Sequence, residues 1–224
     1  MSEPTIAAKA DYADAILVAR RAKNWLFLLL LVVLVGEIAL FFTARKTAAL
    51  LGSSGSISTT QPMSPKIVDV LKYLVALFGF AGLAGSLVLS AVTLLLVKVM
   101  LTGRTLGVAK VTSAFIWSLL LVVLLFPWQA MLNNPTLSSS PDAMAVDFKL
   151  PGVIYTWTEL THPTLGAKFD SSSINALVVL RWARFVGFPV LATMILLSIQ
   201  VKSSMGIKAA LGEDQPATNA SLNI

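Results

Sequence analysis

The chain has 224 residues, 56% of them hydrophobic and 12% charged, with a formal net charge of +6. Soluble domains carry roughly 25% charged residues, so this composition excludes an ordinary water-soluble domain and places the chain in the membrane class. There is no cysteine and a single histidine, His162, which excludes disulfides, thiolate metal sites, iron–sulfur clusters and any multi-histidine metal or haem site built within one chain.

The basic excess, with a pI near 9.7, points to anionic lipid and membrane orientation rather than nucleic acid. No interleaved arginine and aromatic patch of the nucleic-acid-binding kind is present. Residues 1–24 form an amino-terminal segment before the first long apolar run. Ala10–Lys23 has helical composition, with Asp11 and Asp14 early and Arg20, Arg21 and Lys23 late, an order that suits the helix dipole. Ala13, Ile16 and Leu17 give it an apolar side, so the expectation is an amphipathic helix on the membrane surface that turns inward at Trp25. The segment is too long and too acidic before the apolar run for a cleaved signal peptide.

Trp25–Thr43 reads as the first membrane span, with Glu37 its one ionisable residue and Arg45–Lys46 as the stop. Gly52–Lys66 is rich in Gly, Ser and Thr and then punctuated by Pro62 and Pro65, which reads as an exposed connection. Val70–Leu101 is the second span. On a helical wheel its Gly79, Gly82, Ser86, Ser90 and Thr93 fall on one narrow arc among Leu, Val, Phe and Ala, the pattern of a helix that lets a neighbour approach closely. Lys72 lies on the same arc. The third span is Val111–Leu132, with Pro127 distorting or ending its last turn and Trp128 at the interface.

The connection Asn133–Ser173, about 40 residues long, is the one sizeable extramembrane segment. Val153, Tyr155 and Trp157 alternate in a way that permits a short strand, and an interfacial segment is the alternative. The fourth span is 174–201, interrupted by Arg181, Arg184 and Pro189, and residues 202–224 read as a polar carboxyl-terminal tail. The expected fold is therefore an all-α integral membrane protein with four transmembrane helices, 25–43, 70–101, 111–132 and 174–201, and outer segment 133–173. With both ends on one side, nine Lys/Arg flank the spans there (Lys9, Arg20, Arg21, Lys23, Lys98, Arg104, Lys110, Lys202, Lys208) against five opposite (Arg45, Lys46, Lys66, Lys149, Lys168). The positive-inside rule then puts both termini in the cytoplasm of a bacterial inner membrane.

Charges in hydrocarbon are costly and pair or face water. Glu37 lies roughly 9 Å below the outer end of the first span, and Arg184 enters the fourth span to a comparable depth. An intramembrane ion pair of Glu37 with Arg184, or with Lys72, is expected. Its two readings are a packing and register device or part of a proton or ion path. Trp25, Trp128 and Arg181 read as interfacial anchors. His162, in Thr161-His162-Pro163, reads as a solvated loop residue, with ligation of a metal or pigment as the alternative.

No catalytic set, metal site, cofactor motif or internal repeat is visible, and no family resemblance emerges. The expectation is a non-catalytic accessory or structural subunit, or assembly factor, of a larger membrane complex, with the bilayer and other subunits or further copies as partners. The alternative is a small oligomeric channel or transporter using Glu37, Lys72 and Arg184.

Overall fold

The computed structural model describes residues 6–52, 65–127, 153–154 and 182–213, with side chains described for 11–43, 69–127, 153–154 and 182–213. Among these residues four α-helices follow in chain order: α1 Ile6–Gly52, α2 Pro65–Thr102, α3 Val108–Leu124 and α4 Phe188–Leu211, the last preceded by a π-helical turn, Ala183–Gly187. The described residues are helix, turn, bend or irregular backbone, with no strand among them. Asp11–Thr43, Asp69–Thr102 and Ala183–Leu211 are long and apolar enough to cross a membrane, and Val108–Leu124 is a shorter apolar helix.

The helix boundaries follow backbone chemistry more closely than hydropathy. α1 passes through Asn24–Trp25 without a break, because no proline lies inside it and its only internal glycine is Gly36. The surface segment expected to turn at Trp25 is instead continuous with the apolar run. Pro65 opens α2, where a missing N–H and a fixed φ cost nothing. α3 ends at Leu124, ahead of Pro127, whose ring disfavours helical geometry in the residue before it. The expected span 111–132 therefore begins three residues late and runs past the helix end. α4 continues to Leu211, so Lys202–Leu211, read from composition as tail, is helical.

Two of these ends share a motif. After α2, Thr105 N–H donates to Met100 O and Arg104 N–H to Leu101 O. After α4, Glu213 N–H donates to Lys208 O and Gly212 N–H to Ala209 O. Each is a Schellman cap, which needs one left-handed residue. Gly212 supplies it at φ 71° without strain, whereas at α2 the position is occupied by Arg104 at φ 49°.

The chain forms two compact units, Met1–Leu29 with Gly85–Val122 and Met194–Ile224, and Leu30–Ala84 with Val123–Thr193. The core of the first contains Ile16, Ala19, Leu96, Val97, Met100, Val111 and Ile207, with Phe115 and Leu211 packed against it. It includes a close approach. Gly107, at φ 88°, faces α4 so closely that an added Cβ would lie 2.6 Å from Gly206 O, and a Cβ on Gly206 would overlap Val111 Cγ2.

The core of the second unit is aromatic. Leu40, Phe41, Leu71, Val75 and Phe185 are buried together. The Phe41 and Phe185 rings stack at 5.0 Å, and Trp182 meets Phe41 edge-on at 5.8 Å. Val153 is fully buried here and donates its N–H to Leu124 O. In both units the outward side chains are large and apolar, including Tyr73 (77% exposed) and Phe80 (72%) in the second and Trp25 (70%) and Met194 (62%) in the first. Such a surface suits hydrocarbon far better than water.

Candidate functional site

A polar arrangement lies in the first unit, where α4 is tied to α1 on one side and to α3 on the other. Toward α1, Lys23 is 2% exposed, and its Nζ donates to both Ser203 Oγ and Ser204 Oγ at 2.9 Å. One turn earlier in α4, Gln200 Nε2 donates to Asn24 Oδ1 at 3.0 Å. Beyond the end of α4, the Schellman cap directs Glu213 at Arg20, with Nη1 3.1 Å from Oε1. Toward α3, Lys202 Nζ donates to Ser113 Oγ at 2.9 Å and sits 5.3 Å from the centroid of the Trp117 ring. Lysine needs acceptors and has a flexible stem, so hydroxyls on the adjoining helix satisfy it without bringing in a second charge.

Lys23 is the residue that composition conceals. It stands among basic residues flanking the first span and reads there as a topology signal. Its signature is spacing: Ile16, Lys23, Leu30 and Glu37 recur every seven positions, and all four are buried. On α1 a position seven residues from a core residue returns to nearly the same face.

The residues singled out in the sequence fall as follows. Glu37 (3% exposed) and Arg184 (8%) are both buried in the second unit. Lys72 lies on that unit's surface, its side chain half exposed and its Nζ 3.5 Å from Asp69 one turn earlier. Arg184 sits inside the π turn, where the Phe188 N–H reaches back five residues to Ala183 O. Pro189 follows, with no N–H and with a ring that crowds the preceding turn's carbonyl, which is one physical cause of such widening.

The small-residue arc of α2 faces inward from Gly79 to Thr93, though not at Lys72. Gly79 lies against Ile154, and a Cβ on Gly82 would stand 3.3 Å from Val33 Cγ1, both in the second unit. In the first unit Ser86, Ser90 and Thr93 are buried, and Thr93 Oγ1 and Ser118 Oγ share a hydrogen bond of 3.2 Å that joins α2 to α3. Trp25 is exposed. Trp128, Arg181, His162 and nearly all of segment 133–173 lie outside the described residues. Among the described residues no group of three or more His, Cys, Asp or Glu side chains is placed to hold a metal ion.

Comparisons with protein-family models, curated proteins and solved structures return no match.

Proposed function

We propose that the protein is a non-catalytic integral membrane protein of a bacterial cytoplasmic membrane, an accessory or structural subunit, or an assembly factor, of a larger membrane complex. Both termini are cytoplasmic, four helical segments are embedded, and α2 and segment 133–173 provide the contacts with other subunits. The observation that carries this reading is the use made of the polar side chains in the first unit. Lys23, Asn24, Ser113, Gln200, Lys202, Ser203 and Ser204 are engaged helix to helix within the chain, and large apolar side chains are turned outward. Fasteners inside and an apolar exterior are what a packing subunit requires. Glu37 and Arg184 belong to the same scheme as an ion pair that fixes helix register.

The test is native mass spectrometry of the full chain extracted with its own lipids. A fixed-ratio complex with other membrane polypeptides, lost in Glu37→Gln without any change in ion flux, supports the proposal. A lone chain or homo-oligomer that conducts after reconstitution refutes it. One observation favours that second reading, an oligomeric channel or transporter using Glu37, Lys72 and Arg184: Arg184 is buried within a π turn, a backbone form frequent at functional sites.

A further inference from the structure

We infer that the first unit carries a site for the phosphate of an anionic glycerophospholipid, in an open recess of about 350 Å³ lined, among the described residues, by Leu17, Arg20, Arg21 and Asn24. Three features converge there. The first is charge: two consecutive arginines share the recess, and guanidinium is the side chain best matched to phosphate oxygens. Only Nη1 of Arg20 is engaged by Glu213 among the described residues, at 3.1 and 3.5 Å, which leaves the rest of its fork to the recess.

The second feature is the level at which it lies. Trp25, exposed and adjacent to Asn24, is a side chain that membrane interfaces favour, and Leu28 and Leu29, also exposed, continue α1 from there as an apolar surface. Arginines just to the polar side of a tryptophan, above exposed leucines, meet a lipid phosphate with its acyl chains already lying along the helix. A free phosphate ion would use only the charged half of this surface. The third feature is a built-in competitor. The Glu213 carboxylate, fixed by the Schellman cap of α4, occupies one arginine and lowers the local positive charge. A bound phosphodiester competes with it for Arg20.

This inference rests on the chain being embedded in a bilayer. The experiment uses the full chain in a mild detergent, titrated with dioleoylphosphatidylglycerol, dioleoylphosphatidylcholine and inorganic phosphate and read by native mass spectrometry. The expected result is retention of phosphatidylglycerol over phosphatidylcholine. A surface charge contributes about 1 kcal/mol toward anionic lipid, so Arg21→Gln lowers phosphatidylglycerol affinity about fivefold. Glu213→Gln raises the affinity, while Lys98→Gln, at an exposed base of the same unit, leaves it unchanged.

Arg21 is exposed, so its variant retains the fold, and circular dichroism checks this. Equal retention of the two lipids, an Arg21→Gln variant that binds like the parent, a Lys98→Gln loss as large as that of Arg21→Gln, or displacement of the lipid by millimolar inorganic phosphate would each overturn the site. A chain that stays in the supernatant without detergent would instead refute the membrane reading beneath it.

Discussion

The buried ammonium of Lys23 gives the sharpest prediction, because the size of the effect depends on which partner is removed. Its Nζ is held by two neutral hydroxyls at 2.9 Å, and Arg20, one turn earlier, repels it. Hydrogen bonds to a charged group contribute about 1.5–3 kcal/mol each, so the two together offer roughly 3–6 kcal/mol. Removing an ammonium from water costs several kcal/mol, roughly the same amount. Lys23→Met keeps the stem volume and removes both terms, so stability should change by less than about 1 kcal/mol.

The double variant Ser203→Ala/Ser204→Ala removes the acceptors and leaves the charge buried, which should cost about 3–5 kcal/mol. Combining all three substitutions should return stability to within about 1 kcal/mol of Lys23→Met, since the stranded charge is gone. Reversible unfolding in mixed micelles, followed by circular dichroism, measures each step. A loss above about 2 kcal/mol in Lys23→Met, or a loss below about 1 kcal/mol in the double alanine variant, would refute the reasoning. The first would mean that the ammonium contributes net stability, the second that it escapes to water along its flexible stem.

The other expectations concern the turns and helix contacts of the same unit. Gly206→Ala should destabilise by about 1–3 kcal/mol through overpacking against Val111, and Gly107→Ala by more, because its φ of 88° adds backbone strain; a melting temperature at or above the parent's in either would contradict the close approach. Arg104→Gly should stabilise by about 0.5 kcal/mol, since relief of the left-handed strain exceeds the lost charge–dipole interaction at the helix end; a lower melting temperature would show that the arginine does more than close the cap. A double-mutant cycle of Thr93→Val and Ser118→Ala should give a coupling of about 0.6 kcal/mol, typical of hydrogen bonds between helices in membranes; strictly additive losses would mean that the two hydroxyls act only on their own backbones.

Hydropathy pointed to apolar helices, because long apolar runs leave little else for a backbone to do. It failed at their ends. Lys202, Ser203 and Ser204 resemble a solvated tail by composition, yet in α4 they face Ser113 and Lys23 on neighbouring helices. Polarity marks a residue that needs a partner, and a one-dimensional reading assumes that the partner is water. Lys23 illustrates the same point from the other side: its charge suggested a membrane flank, whereas in the structure it is buried on the face of α1 that Ile16, Leu30 and Glu37 share. The end of α3 was legible in Pro127, once the proline's effect on the preceding residue is counted rather than its hydropathy. Glu37 and Arg184 stand out in the sequence because hydrocarbon makes any charge conspicuous, and both are buried.

The π turn at Ala183–Gly187 carries a consequence for how this helix tolerates change in length. Each residue added to or removed from an α-helix rotates what lies beyond it by about 100°. The wide turn takes in one extra residue over its five-residue span, so the phase on its two sides is that of an insertion already accommodated. Deleting a single residue within it would restore regular α geometry without turning the start of α4 relative to Trp182, whereas the same deletion in a regular turn of α4 would rotate the face beyond it.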